Sequence, residues 1–155
     1  MSETPSSQLL IVHHTVSPSL HEMVDAVRSG TSAEGIESVD VVTAPALVAT
    51  PAHALEADGY VLVAPANLGS MAGALKHFFD TIYYPCLDET RGRPFGCAIH
   101  GNNDVDGALG DIDKIVTGLG WTQAADHVRV IDTPDQDAKD ACWNLGATVA
   151  AHLMG

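Results

Sequence analysis

Residues 58–84, DGYVLVAPANLGSMAGALKHFFDTIYY, constrain the fold more than any other stretch, because they read as strand, loop and helix without a gap. Tyr60 to Ala64 is a short apolar run with β-branched residues, the pattern of a parallel strand covered on both faces. Pro65, Asn67 and Gly69 interrupt it. Ser70 is then placed as the cap of a helix in which Met71, Leu75, Phe78, Phe79 and Ile82 share one side. A parallel strand that feeds a helix leaves its loop at the carboxyl edge of the sheet, where open α/β sheets bind ligands. The loop Pro65, Ala66, Asn67, Leu68, Gly69, Ser70, continuing to Gly73, is therefore the first site candidate, against the plainer reading of an ordinary βα turn.

The same alternation recurs along the chain. Met1 to Gln8 reads as a flexible start, and Leu9 to His13 as a buried strand. After the polar loop His14 to Ser19, Ser17 and Pro18 open a helix: a hydroxyl at the cap, and proline where its missing N–H costs nothing. Leu20, Met23, Val24 and Val27 form its apolar stripe, which stops near Gly30. Ile36 to Thr43 suits a strand near the sheet edge, and the Pro45 and Pro51 segment allows only a short helix. Pro85 to Arg93 reads as a polar loop that leaves Cys86 accessible, and Pro94 to His100 as a strand. Gly101 to Asp106 is its loop, and the helix Ala108 to Leu119 stops at Gly118 and Gly120. Val128 to Ile131 is a last strand and Asp137 to Leu153 a last helix. Five βα units in series predict a single α/β domain over 1–155 with a doubly wound, five-stranded parallel sheet. The common order 2-1-3-4-5 puts the loops after strands 1, 3 and 4 along one rim.

Charge and cysteine usage bear on partners. Twenty acids against seven bases give a net charge of -13, which repels phosphate backbones and anionic membranes and excludes nucleic acid as the expected partner. Its plain meaning is solubility. No apolar run reaches membrane-spanning length and the first residues lack a secretory pattern, so a cytoplasmic protein without membrane insertion is expected. Cys86, Cys97 and Cys142 are widely spaced and odd in number, unlike a disulfide scaffold or a zinc ribbon.

Three segments carry a resemblance. ADGYVLVAPANLGSMAGALKHFFDTIYY, RGRPFGCAIHGNND and LLIVHHTVSPSLHEMVDAV are similar in order and layout to the third, fourth and first βα units of the flavodoxin-like family. Within it they resemble the NAD(P)H-dependent FMN and quinone reductase branch. The resemblance implies a non-covalent FMN. It places His14, Thr15, Ser17, Pro18 and Ser19 around the phosphate and Pro65 to Ser70 against the flavin ring. His100, Gly101, Asn102, Asn103 and Asp104 fall at the ring's pyrimidine end. It further implies NADH or NADPH as hydride donor and a quinone, free flavin or other small redox partner as acceptor, with a homo-oligomer as a possible setting. The catalytic group is left unassigned, since the flavin carries the chemistry.

The chain departs from the family's phosphate loop, Ser/Thr-x-Thr-Gly-x-Thr, which stands here as Thr15-Val16-Ser17-Pro18-Ser19-Leu20. Pro18 removes a backbone donor and a positive-φ option. The helix N-terminus still offers free N–H groups and its dipole to an anion. Neither ring loop carries Trp or Tyr, which favours an open ring face and a reductase over a one-electron carrier. Two alternatives stand beside this reading: an electron-carrier or ligand-binding module without reductase activity, and a member that has lost the flavin. His13, His14 and His100 lack metal-site spacing, and a metal is not expected. Near a flavin, His14 or His100 would supply a proton or a hydrogen bond. Asp132, Asp135, Asp137 and Asp140 read as dipole-offsetting acids at the last helix.

Overall fold

Strand runs that are apolar without alternation need cover on both faces, and the order of elements supplies it. The computed structural model describes residues 6–154. Its elements are β1 (Ser7–His13), α1 (Pro18–Thr31), β2 (Val39–Pro45), α2 (Pro51–Glu56), β3 (Gly59–Asn67) and β4 (Ser70–Met71). They continue with α3 (Gly73–Cys86), β5 (Pro94–Gly101), α4 (Asp106–Leu119), β6 (Thr122–Gln123), β7 (Val128–Ile131) and α5 (Gln136–His152). The sheet runs β2-β1-β3-β5, and its fifth position is shared by β6, beside Pro94 and Phe95, and β7, beside Ala98 to Gly101. Counted by βα units this is the expected 2-1-3-4-5 order, parallel throughout, with β4 folded back antiparallel on the end of β3.

Alternation along the strands sorts the core into two layers. Leu10, Val12, Tyr60, Leu62, Cys97 and Ile99 pack under α2, α3 and α4. Leu9, Ile11, Val61, Val63 and Ala98 pack under α1 and α5. Helix α1 starts as its sequence dictates: the Ser17 hydroxyl accepts the Leu20 N–H at 3.3 Å, and Pro18 takes the first helical position. Helices α1 and α5 approach backbone to backbone. A Cβ on Gly30 would run into the Trp143 carbonyl, and one on Gly146 into the Val27 carbonyl. The amino edge is closed by aromatic packing, with Tyr60 stacked on Trp121 at 3.9 Å and the indole N–H donating to the Thr90 hydroxyl at 2.8 Å. Burial is the main cause that pushes the Tyr60 phenol up to about 12. Its hydroxyl donates to the Ala54 carbonyl, and Arg93 donates to the carbonyls of Leu55 and Ala57, so the end of α2 is capped by side chains.

Several boundaries differ from the sequence expectation. Ser7 and Gln8 are not part of a flexible start. They pair with Val39 and Asp40, and the Asp58 carboxylate accepts the Gln8 N–H at 2.8 Å. Residues 1–5 lie outside the described part. Ser70 does not cap a helix, because β4 takes it up and α3 begins only at Gly73, with no side-chain cap. Met71 accordingly leaves the helical stripe. Cys86 is not on an accessible loop: α3 continues one residue past Pro85 and buries the thiol in the core, which raises its pKa. Cys97 and Cys142 are buried as well, and burial pushes Cys142 up to about 11. Among the described residues no helix is long and apolar enough to cross a membrane.

The helix contact gives a direct stability test. Gly30→Ala and Gly146→Ala should each lower the unfolding free energy by about 1–3 kcal/mol in urea titrations, because a backbone carbonyl has to move. Gly110→Ala, in α4 with nothing near the added methyl, should raise it by about 0.5–1 kcal/mol.

Candidate functional site

Three loops leave adjacent strands at the carboxyl edge. The register pairs His13 with Val63 and Pro65 with His100, which sets the ends of β1, β3 and β5 side by side. The first loop is pinned where the His14 N–H donates to the Val63 carbonyl at 2.9 Å and the Ala46 N–H to the His13 carbonyl at 2.7 Å. Beyond that point the backbone N–H groups of Thr15, Val16, Ser17 and Ser19 meet no acceptor among the described residues. These are four open donors in the loop and first turn before a long helix, an arrangement that can meet an anion even though Pro18 contributes none. The Thr15 hydroxyl lies 2.6 Å from His13 Nδ1. Partial burial, then the neighbouring His21, His14 and Arg28, lower the His13 pKa. Leu20, the last residue of the Thr15 to Leu20 segment, is buried in the core.

The second loop is shorter than the sequence suggests. Strand β3 runs on through Pro65, Ala66 and Asn67, and the chain reverses at once: Ala66 pairs with Met71 and Asn67 with Ser70. Only Leu68 and Gly69 form the turn, with φ of 51° and 75°. Positive φ at both central residues is the two-residue hairpin geometry that favours Asn-Gly. Leucine here carries the cost of the left-handed region, about 1–2 kcal/mol, and is at the same time 104% exposed. Pro65 is buried and Ala66 half-buried, so this loop offers ligands Asn67, Leu68, Gly69 and Ser70.

Helix α4 holds the hairpin. The Asp111 carboxylate accepts the Met71 N–H at 3.0 Å, and the Gly69 carbonyl lies where a Cβ on Gly107 would be. Sequence reading missed both Gly107 and Asp111, since neither stands near the hairpin in sequence and no local pattern marks them.

In the third loop Gly101 closes β5, and its carbonyl accepts the Asp132 N–H at 2.9 Å. His100 Nε2 lies 2.7 Å from the Asp132 carbonyl. A carbonyl only accepts, so Nε2 carries the proton and Nδ1 keeps the lone pair in the neutral ring. Asn102, Asn103 and Asp104 are exposed, and the Asp104 carboxylate turns back to accept the Asp106 N–H at 2.8 Å. A Cβ on Gly101 would stand 3.8 Å from that of Ala66, so the second and third loops abut. All sixteen candidate positions, His14 to Ser19 without Val16, Pro65 to Ser70 and His100 to Asp104, thus fall on one rim or directly beneath it. No Trp, Tyr or Phe stands in these loops. Among the described residues no three His, Cys, Asp or Glu side chains gather as a metal site. A hollow of about 670 Å³ lies to the side, between β7 and α5, and uses none of these residues.

No family model matches the chain, and no curated protein matches it. Solved structures do. A flavodoxin from Streptococcus pneumoniae TIGR4 superposes with a TM-score of 0.80 at 17% identity, over 94% of this chain and 99% of that one. A WrbA-like flavodoxin from Agrobacterium tumefaciens gives 0.76 at 16% identity, over 96% and 98%. The flavodiiron protein from Giardia intestinalis gives 0.81 at 12% identity, over 96% of this chain and 36% of that one. The fold is flavodoxin-like.

The strained turn predicts its own repair. Leu68→Asn should raise the unfolding free energy by about 0.5–1 kcal/mol, because asparagine tolerates the left-handed region and leaves no apolar side chain in water. Urea unfolding checks this, and a loss of stability would show that Leu68 supports the hairpin.

Proposed function

We propose that this chain binds FMN non-covalently along the carboxyl rim and works as a flavin-dependent oxidoreductase. The observation that carries the proposal is Leu68. A fully exposed leucine held at positive φ serves neither solvation nor backbone preference, which fits a side chain kept to lie against a ligand. The residues fit the group. The open N–H groups of Thr15, Val16, Ser17 and Ser19 suit its phosphate. The Leu68 and Gly69 N–H groups, which also meet no acceptor among the described residues, suit the polar edge of its ring.

When bound, FMN supplies the electron chemistry. The chain's own residues bind and orient. The Asp111 and Gly107 contacts keep the hairpin on α4, so the Leu68 side chain and the Gly69 backbone present a fixed surface. His100, with Nε2 donating to the Asp132 carbonyl, is left with Nδ1 as a hydrogen-bond acceptor. The lack of Trp, Tyr or Phe in the loops suits a ring face open to a nicotinamide, which favours NADH or NADPH as donor and a quinone or free flavin as acceptor. A carrier without reductase activity is the second reading, supported by the general likeness to flavodoxins.

Purified protein titrated into FMN should quench its fluorescence stoichiometrically, with riboflavin binding more weakly for want of the phosphate. Leu68→Asn, folded and no less stable, should weaken FMN binding several-fold. If neither flavin responds at high micromolar protein, the cofactor-free alternative replaces this one. For the loaded protein, anaerobic NADH or NADPH should bleach the flavin absorbance within seconds to minutes. A loaded protein that leaves both nicotinamides unoxidised is a carrier.

A further inference from the structure

Strand β2 forms one border of the sheet. Its 7 residues stay in register with β1 from Val39 to Pro45 without a bulge. The Ser7 N–H donates to the Ser38 carbonyl at 3.0 Å, and the Ala46 N–H to the His13 carbonyl at 2.7 Å. Peptide groups alternate sides along a strand, so the even-numbered residues of β2 bond to β1. The N–H and carbonyl groups of Val39, Val41 and Thr43 therefore point out of the sheet, where no strand of the described residues pairs with them. Strand β2 carries no lysine, and its one charge is Asp40. Val39, Val41 and Val42 are half-buried. A border of this kind accepts a further strand.

We infer that the strand it accepts is β2 of a second copy of this chain, running antiparallel about a two-fold axis at Val42. The residues set the register. With Val42 opposite Val42 of the second copy, Val41 lies opposite Thr43, Asp40 opposite Ala44 and Val39 opposite Pro45. Val41 and Thr43 then exchange both of their outward hydrogen bonds, and Val39 donates to the Pro45 carbonyl. Pro45 has no N–H and leaves no donor unpaired there. An axis at Asp40 would set the two carboxylates face to face, and one at Val41 would make them diagonal neighbours, so charge selects Val42. The ends of the strand agree. Glu34 and Glu37 precede β2, and the two-fold carries them toward residues 44–49 of the other copy, Ala-Pro-Ala-Leu-Val-Ala, which hold no charge. Leu47 and Val48 in that stretch are 56% and 62% exposed. On the α1 side a hollow of about 340 Å³ opens beside Val41. It is lined by Asp25 and Arg28, one acid and one base with no ion pair among the described residues. In a chain of net charge -13 that face is locally neutral, and an isologous contact turns the base of each copy toward the acid of the other.

Sedimentation velocity of the whole chain should give twice the chain mass at high micromolar concentration, and hydrogen exchange at the Val41 and Thr43 amides should slow as concentration rises. Thr43→Pro removes an outward N–H and spares the ladder to β1, so it should be monomeric while folded by circular dichroism. Val42→Cys, treated with oxidised glutathione, should form a disulfide-linked dimer, because facing residues that are not hydrogen-bonded stand close enough for the bond. The native cysteines are buried and stay silent. Asp40→Cys should not cross-link, since its counterpart lies opposite Ala44, roughly 13 Å along the strand. Arg28→Glu should weaken the dimer about tenfold, and Arg91→Glu should leave it unchanged. A monomer at high micromolar concentration, a dimer that Thr43→Pro does not affect, cross-linking of Asp40→Cys as fast as that of Val42→Cys, or equal dimerisation of the two arginine variants would each overturn the assignment. None of these residues is assigned to the flavin, so FMN binding can fail without moving any of these readouts.

Discussion

Strand β3 is the member on which the remainder depends. It lies between β1 and β5, and every residue from Gly59 to Pro65 is buried. Its side chains enter both core layers, Tyr60 and Leu62 one way, Val61 and Val63 the other. Such a strand has no solvent-facing side to absorb a slip in register, since a shift of one residue would exchange the two layers. The ends of β1 and β5 are set against it, and so therefore are the three loops of the carboxyl rim.

The layers are built on different terms. Where α1 and α5 meet, glycine lets the chains close to backbone contact, while further along the same layer a hollow of about 670 Å³ remains between β7 and α5. Where α3 and α4 stand, tyrosine acts as a spacer and leaves concave surface. One helix pair is therefore set by backbone contact and the other by a side-chain spacer. The rim itself mixes the two: its first loop follows local rules of helix capping, while its hairpin holds leucine against local preference.

What was legible from the chain followed the range of the interaction. The start of α1 could be read because Ser17 and Pro18 act within one turn. The order of strands could be read because the apolar runs repeat and crossovers have one hand. The hairpin could not. Strand β4 is two residues long, and what keeps it in place is Asp111, forty positions on from Met71. Ser70 looks like a cap because a hydroxyl before an apolar helix usually is one, and a tertiary contact overrode it. Cys86 was misplaced for a related reason: proline in the last turn of a helix costs little when the next side chain enters the core. At the candidate site, sequence supplied which loops converge and the positions that fall on or beneath their rim. It did not supply the strain at Leu68 or the tautomer imposed on His100, since both depend on distant backbone.

The interrupted fifth strand bears on how this protein behaves in a crowd of its own copies. An outer strand is a template for growth when it offers a continuous row of free amide and carbonyl groups. Here that row breaks: two residues in β6, a detour through residues 124–127, then four in β7, with Arg129 on the exposed side and tied to Asp106. No incoming strand finds a straight partner along this border. A chain with so large an apolar fraction is thus protected from sheet-to-sheet polymerisation at this edge by discontinuity, before its acidic charge adds long-range repulsion.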